Sequence, residues 1–117
     1  MSGLASYRAG LAAEDSVAAH YMRKGLALVA RRWRGQGGEI DLVLRDGDTL
    51  VFVEVKKSRS FAHALERVTP RQVARIFDAA GEFLAGEPRA LDTDTRFDVA
   101  MVAASGEVRI LHNAFGP

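Results

Sequence analysis

The feature that most limits the fold of this chain is a pair of apolar segments, residues 38–45 and 49–57, with charged residues set into both. Between them stands Asp46-Gly47, a dipeptide that favours a two-residue type I′ turn. The second segment has an almost unbroken apolar run at residues 51–55, which is typical of a central strand. The pattern therefore predicts an antiparallel β-hairpin.

This hairpin divides its side chains between two faces, because side chains alternate along a strand. A turn at residues 46–47 places Asp41 opposite Phe52 and Glu39 opposite Glu54. One face is wholly apolar and carries Ile40, Leu42, Leu44, Val51, Val53 and Val55. The other is apolar near the turn and charged at its far end, and carries Glu39, Asp41, Val43, Leu50, Phe52, Glu54 and Lys56. The apolar face is expected to pack on a helix.

The charged end of the second face gathers Glu39, Asp41, Glu54 and Lys56 in a small area. Asp41 and Glu54 are diagonal neighbours in this register, with Cβ atoms roughly 7 Å apart. Charges on a central strand are costly unless they are paired or bound to metal. Lys56 offers part of the compensation, and a divalent cation with oxygen ligands would supply the rest. The alternative interpretation is an exposed strand end with ordinary salt bridges.

Other elements flank the hairpin and give the order α-β-β-β-α-β-β. They are predicted at residues 4–24 (helix), 26–34 (strand), 69–85 (helix), 96–103 (strand) and 107–112 (strand). Thr69 is expected to cap the second helix, with Pro70 at its first position. Residues 57–68 are predicted to form a loop of about a dozen positions. The fold class is α/β, in one domain over residues 1–117.

Glu14 is the acid on an otherwise apolar or aromatic helical stripe that includes Tyr7, Leu11, Ala18 and Tyr21. The spacing of three and four residues predicts that this side chain faces the sheet. A buried carboxylate must be compensated. Glu14 therefore either joins the acidic site or is satisfied by an arginine, and the sequence leaves both interpretations open.

Composition excludes some classes of site. The chain has no cysteine, which excludes disulfides, zinc–thiolate sites and thiol nucleophiles. No apolar run approaches the roughly 18 residues that span a membrane, and the first residues do not resemble a signal peptide, so a cytoplasmic protein is expected. The net charge is only +1, but residues 23–75 carry twelve Lys or Arg and six Asp or Glu. This segment predicts either an anion-binding face or ordinary solvated arginines.

The hairpin segments, Gly38–Leu42 and Phe52–Lys56, resemble the paired motifs of the YraN family of small bacterial proteins, which is placed in the PD-(D/E)XK nuclease superfamily. The resemblance extends through nearly the whole chain, at Gly10–Glu14, Trp33-Arg34, Val68–Arg71 and Arg96–Val99. It also has departures. The family usually has asparagine where Arg32 stands and lysine where Gln72 stands, and the arginine expected at Ser58 is displaced to Arg59.

The resemblance implies a restriction-endonuclease-like core with a mixed central sheet, and metal-dependent hydrolysis of phosphodiester bonds. It implies that Asp41 and Glu54 hold Mg²⁺ or Mn²⁺, with the Val55 carbonyl as a third ligand. Glu14 would complete the metal shell, directly or through water. Lys56 would orient the attacking water and offset charge on the phosphate. The implied partner is nucleic acid, with DNA favoured over RNA, and the candidate phosphate contacts are Arg31, Arg32, Arg34, Lys57, Arg59, Arg71 and Arg75.

Two other functions remain open. The chain could be a binding module that holds nucleic acid without turnover, or an interaction protein whose faces dock a partner subunit. Its small size is compatible with a homodimer. His63 is expected to be a surface residue rather than a catalytic base, and Trp33 to belong to the core rather than to stack on a nucleobase.

Overall fold

In the computed structural model, one α-helix precedes the sheet and two α-helices lie between its third and fourth strands. The structure describes residues 3–115, except for the side chains of residues 3–7 and of residue 65. The elements are α1 (Gly3–Arg23), β1 (Ala27–Arg34), β2 (Glu39–Asp46), β3 (Thr49–Lys57), α2 (Phe61–Glu66), α3 (Pro70–Leu84), a 3₁₀ helix (Ala90–Asp92), β4 (Asp94–Val102) and β5 (Val108–Leu111). The predicted order is confirmed, with α2 added inside the predicted loop. The expectation about a signal peptide falls partly on residues 1–2, outside the described residues.

The five strands form one mixed sheet in the order β1-β2-β3-β4-β5. Neighbouring strands are antiparallel except β3 and β4, which are parallel. A parallel pair needs a crossover connection, and here α2 and α3 make it. The predicted α/β class and mixed sheet are therefore confirmed. Every helix among residues 3–115 is too short or too polar to be a membrane span.

The sheet is covered on both faces, because α1 packs on one and α3 on the other. The α1 side buries Val17, Ala18 and Tyr21 of the helix among strand residues such as Leu42 and Val53. The α3 side buries Ile76, Ala79, Ala80 and Leu84 of the helix with Val43, Leu50, Phe52 and Phe97 of the sheet. Phe77 of the same helix is 38% exposed, and its ring packs edge-on against Phe97.

The hairpin turns one position later than predicted. Asp46 pairs with Thr49, so the turn residues are Gly47 and Asp48. Gly47 has a positive φ of 60° and Asp48 does not, which fits a turn with glycine at its first central position, as in type II′. The register shifts by two positions, and an even shift moves no side chain to the other face. The predicted Asp41–Phe52 pair is wrong, since Val43 lies opposite Phe52.

The strands β2 and β3 separate near the acidic residues. Their pairing runs from the turn to Leu42 and Val53, whereas β2 stays paired with β1 as far as Glu39. Beyond Leu42, Ile40 packs with the α3-side core, so the predicted apolar face is wrong at this residue. The physical reason is that this end of β2 follows β1 and leaves β3, which opens space between the strands for polar side chains.

Candidate metal and nucleic-acid site

An open cavity of about 440 Å³ lies between the sheet and α3 at the point where β2 leaves β3. Glu39, Asp41 and Glu54 line it from the sheet side. From the α3 side it is lined by Thr69, Arg71, Gln72, Arg75 and Ile76. The structure thus brings two carboxylates predicted to bind metal, Asp41 and Glu54, into one concave surface with two arginines predicted to bind phosphate.

Glu54 is held from two directions. It is buried, with 8% of its surface exposed. Its Oε1 accepts a hydrogen bond from Nε2 of Gln72 at 2.8 Å, and Nζ of Lys56 lies 3.3 Å from the same oxygen. The predicted proximity of Glu54 and Lys56 is therefore confirmed.

Gln72, which departs from the family pattern, belongs to the site although the sequence motifs do not predict a role for it. Its amide contacts Glu54 and lines the cavity. A signal for it was present in the helical phase, because Gln72 stands four residues before Ile76 and so shares its sheet-facing stripe. Thr69 caps α3 by accepting the N–H of Gln72, as the sequence predicts for this N-cap.

The side chain of Asp41 accepts a hydrogen bond from a backbone amide of β3, beyond the point where the backbone pairing of β2 with β3 ends. Its Oδ2 accepts the backbone N–H of Val55 at 2.8 Å. Burial raises the pKa of Asp41 above its ordinary value and the negative charge of Glu14 adds to this, while the Val55 hydrogen bond opposes it. Asp41 is thus fixed to β3 although its strand has left the ladder.

The charge of Asp41 impedes the ionisation of Glu54. Burial raises the pKa of Glu54 to about 7, with the charge of Asp41 as the next cause, although the ammonium of Lys56 acts in the opposite direction. One ammonium therefore does not fully compensate the pair. A divalent cation between them would allow both to be charged, because an opposite charge favours the ionised form.

Glu14 faces inward as predicted, with only 5% of its surface exposed. Its two oxygens accept hydrogen bonds from Nε of Arg32 at 2.9 and 3.2 Å. The arginine alternative thus describes the arrangement in this structure. Arg32, a predicted phosphate contact, is engaged inside the protein, and its role toward nucleic acid stays a prediction. The predicted stripe on α1 is confirmed at Ala18 and Tyr21, which are buried, while Leu11 is half-buried. The side chain of Tyr7 lies outside the described residues.

The donor set available to a metal ion is small. Within residues 3–115, no three carboxylate or imidazole side chains stand close enough together to hold one ion. Asp41 and Glu54 are a pair, and Glu14 is held by Arg32. A pair fits Mg²⁺, which is usually bound by one or two carboxylates together with waters and substrate phosphates.

The predicted phosphate-binding residues differ in their surroundings. Arg71 and Arg75 are exposed, line the cavity and form no ion pair with any carboxylate of the described chain. Arg34 pairs with Glu39 at 3.1 Å, and Arg31 pairs with Asp15. Lys57 is exposed, and a second cavity of about 450 Å³ is lined by Ser58, Arg59, His63, Glu66 and Arg67. Trp33 packs edge-on against Phe83, as expected for a core residue.

A second polar cluster, centred on Asp98, was missed by the sequence analysis. Asp98 is fully buried and accepts hydrogen bonds from the Tyr21 hydroxyl at 2.7 Å and from the Asn113 N–H at 2.8 Å. Arg96 donates hydrogen bonds to both carboxylate oxygens of Asp98 through Nε and Nη2. Nδ1 of His112 lies 3.3 Å from Oδ2 of Asp98. Burial, and then the charge of Asp98, raises the pKa of Tyr21. This cluster ties α1, β4 and the segment after β5 together on the α1 side of the sheet.

Comparison with known proteins supports the resemblance noted above. The family model described as "Uncharacterised protein family UPF0102" matches residues 13–102. The chain belongs to the UPF0102 family. This is the YraN family that the hairpin motifs indicated. Its match covers every residue that lines the cavity between the sheet and α3.

Relatives within the UPF0102 family align over nearly the full length of this chain. A UPF0102 protein of Cereibacter sphaeroides strain ATCC 17029 is 56% identical over 98% of both chains. One of Roseobacter denitrificans is 56% identical over 97% of this chain and 88% of its own length. One of Dinoroseobacter shibae is 45% identical over 95% of this chain and 83% of its own length.

The strained pair in the cavity predicts a pH-dependent stability. Because the folded state raises the pKa of Glu54 from 4.5 to about 7, it retains a proton that the unfolded chain releases in this window. Metal-free stability should therefore fall as pH rises from about 4.5 to about 7, by up to about 3 kcal/mol. Glu54→Gln should flatten this decline and be more stable than wild type above pH 7.

Urea unfolding at about pH 5 and about pH 8 with a chelator present checks this expectation. Glu107→Gln is the matched control, since Glu107 is exposed and lies in the connection between β4 and β5, away from the cavity. The same pH dependence in wild type and Glu54→Gln would contradict the assignment of the strain to Glu54.

Proposed function

We propose that this UPF0102 protein binds nucleic acid and is a metal-dependent endonuclease that hydrolyses phosphodiester bonds. The observation that carries the proposal is the composition of one cavity. Asp41 and Glu54 supply the oxygen ligands that Mg²⁺ prefers. Arg71 and Arg75 supply exposed guanidinium groups that pair with no carboxylate in the described residues and suit phosphate oxygens. The mixed sheet with helices on both faces is compatible with a restriction-endonuclease-like fold.

The metal ligands in this proposal are Asp41, Glu54 and the backbone carbonyl of Val55. Glu14 is a further candidate that would act directly or through water, and its carboxylate is at present held by Arg32. The ion is Mg²⁺ or Mn²⁺. When bound, it would polarise the phosphate and lower the pKa of a water molecule.

Lys56 is proposed to act on the reacting groups. Its side chain is only 14% exposed, and Glu54 holds its ammonium beside the metal ligands. From there the ammonium would donate a hydrogen bond that orients the attacking water and offset the charge that develops on the phosphate. Arg71 and Arg75 lie one helical turn apart on one face of α3 and would bind phosphates of the substrate. Glu39 is a weaker member of the site, because Arg34 pairs with it.

Cleavage assays test this function directly. Wild type is expected to cut at least one substrate among duplex, single-stranded and branched DNA and RNA, in the presence of Mg²⁺ or Mn²⁺. Asp41→Asn should lose at least about 100-fold in rate, since one of two ligand carboxylates is gone. Calorimetric titration with Mn²⁺ should show that it also loses affinity for the ion. Asp94→Asn, an exposed change on β4, is the control.

Two results would overturn the proposal in different ways. Equal Mn²⁺ affinity in wild type and Asp41→Asn would remove the metal site from this cavity. Absence of cleavage by wild type on every substrate in both metals would remove the enzymatic function.

A non-catalytic nucleic-acid-binding module of the same fold is the second candidate function. It is favoured by the ion pair between Glu14 and Arg32. Because Glu14 is held in this way, Asp41 and Glu54 have no third carboxylate within residues 3–115 close enough to bind the same ion. Binding that weakens steeply with salt and is accompanied by no cleavage would identify this function, because phosphate contacts release counterions.

A further inference from the structure

Glu82, in the last turn of α3, holds the loop that leads into the acidic strand. Its Oε1 accepts the backbone N–H of Gln36 at 3.0 Å, and its Oε2 accepts that of Gly37 at 3.1 Å. The loop is itself closed by a hydrogen bond from the N–H of Gly35 to the carbonyl of Gly38 at 2.9 Å. One side chain of α3 thus satisfies two consecutive donors of the β1–β2 connection.

The loop lies against α3 so closely that side chains would not fit. A Cβ atom at Gly38 would stand 2.6 Å from the backbone oxygen of Arg75, and one at Gly37 would stand 2.8 Å from Cβ of Asp78. Real Cβ atoms essentially never approach other atoms this closely. The glycines therefore permit backbone-to-helix contact, and Glu82 holds the loop in that contact.

This contact matters because the segment that follows has little support from β3. Pairing of β2 with β3 ends at Leu42 and Val53. The link to β3 at Asp41 is the hydrogen bond from the Val55 amide. The position of Asp41 relative to Glu54 therefore depends on that hydrogen bond, on the pairing of β2 with β1 and on the loop that precedes Glu39.

The helix α3 contacts both acid-bearing strands. Its first turn holds Glu54 of β3 through Gln72. Its last turn holds the entrance to β2 through Glu82, whose nearer contact, Gly37, stands two residues before Glu39. Glu82 itself lies less than two helical turns after Arg75. A displacement of the loop from α3 would consequently move Asp41 while leaving Glu54 in place.

We infer that Glu82 is a positioning residue that sets Asp41 at the distance from Glu54 needed to share one metal ion. The inference rests on the proposed metal site. Since Glu82 lines no part of the cavity between the sheet and α3, it acts through the loop and has no contact with the ion.

The test uses the full-length protein and two readouts. The first is the NMR chemical shift of the Val55 amide, which reports the hydrogen bond to Asp41 without any metal. Asp41→Asn sets the size of the shift expected when that bond is weakened. The second is the affinity for Mn²⁺ by calorimetry.

Glu82→Ala is expected to move the Val55 amide toward its position in Asp41→Asn. It should also weaken Mn²⁺ binding by about tenfold, the lower end of the range for residues that orient metal ligands. Glu82→Gln retains one acceptor oxygen and should lie between wild type and Glu82→Ala in both readouts. Glu107→Ala and Glu107→Gln remove a charge elsewhere on the surface and should change neither.

An unchanged Val55 amide and unchanged Mn²⁺ affinity in Glu82→Ala would overturn the inference, even if the loop amides of Gln36 and Gly37 exchange faster. If Glu82→Ala does not fold, Glu82→Gln decides by the same criteria. If wild type binds no Mn²⁺, the proposed function fails. The Val55 amide then still decides whether Glu82 positions Asp41: a shift supports this, and no shift overturns it.

Discussion

Replacement of Lys56 by alanine is expected to abolish cleavage and to leave nucleic-acid binding nearly intact. The ammonium lies 3.3 Å from Oε1 of Glu54, beside the metal ligands rather than among the exposed arginines of α3. Loss of a group that stabilises charge in the transition state typically costs 100- to 1,000-fold in rate. The measurement is single-turnover cleavage, with binding followed by fluorescence anisotropy under the same conditions.

A matched control for this experiment is Lys24→Ala, which removes an exposed lysine just after α1. It should cleave at the wild-type rate. If cleavage survives undiminished in Lys56→Ala, then either a contaminating nuclease or a mechanism without this lysine is responsible. If binding is lost together with cleavage, Lys56 contributes to substrate affinity rather than to the chemical step.

The largest effect on stability is expected for Asp98→Asn. The carboxylate is fully buried and accepts from Tyr21, Arg96 and the backbone of Asn113. Asparagine keeps the shape, but its amide group turns a donor toward groups that are themselves donors. Breaking a buried ionic cluster in this way costs about 3 kcal/mol or more, which lowers the melting temperature by on the order of 10 °C for a domain of this size.

Thermal unfolding of Asp98→Asn beside Asp94→Asn checks this prediction, because Asp94 lies on the same strand and is exposed. The control should melt within about 2 °C of wild type, as expected for a surface change. A melting temperature for Asp98→Asn close to that of the control would show that the cluster contributes little to stability. The Mn²⁺ affinity of the folded protein should be unchanged, since Asp98 faces α1 and the cavity faces α3.

The candidate site could be predicted in part because strand alternation is a strong constraint. Asp41, Glu54 and Lys56 were placed on one face by their parity alone, and this survived an error in the turn, since the register shifted by an even number of positions. The phase of an amphipathic helix likewise placed Glu14 inward. Neither pattern predicts that Arg32 pairs with Glu14. Arg32 has a positive φ of 48°, and the alternation of side chains along a regular strand does not predict the direction of a side chain at such a residue.

The α/β class, the order of the strands and the two long helices, and the family could all be inferred from the amino-acid sequence. The faces of the hairpin could be inferred too, except at Ile40. These depend on local propensity and on periodicity, which are properties of short segments. Three contacts are visible only in the folded chain: Gln72 with Glu54, Glu82 with the loop before Asp41, and Tyr21 with Asp98. Each of these contacts joins residues from elements distant in the chain or depends on where a strand leaves its neighbour, and no local pattern encodes such distances.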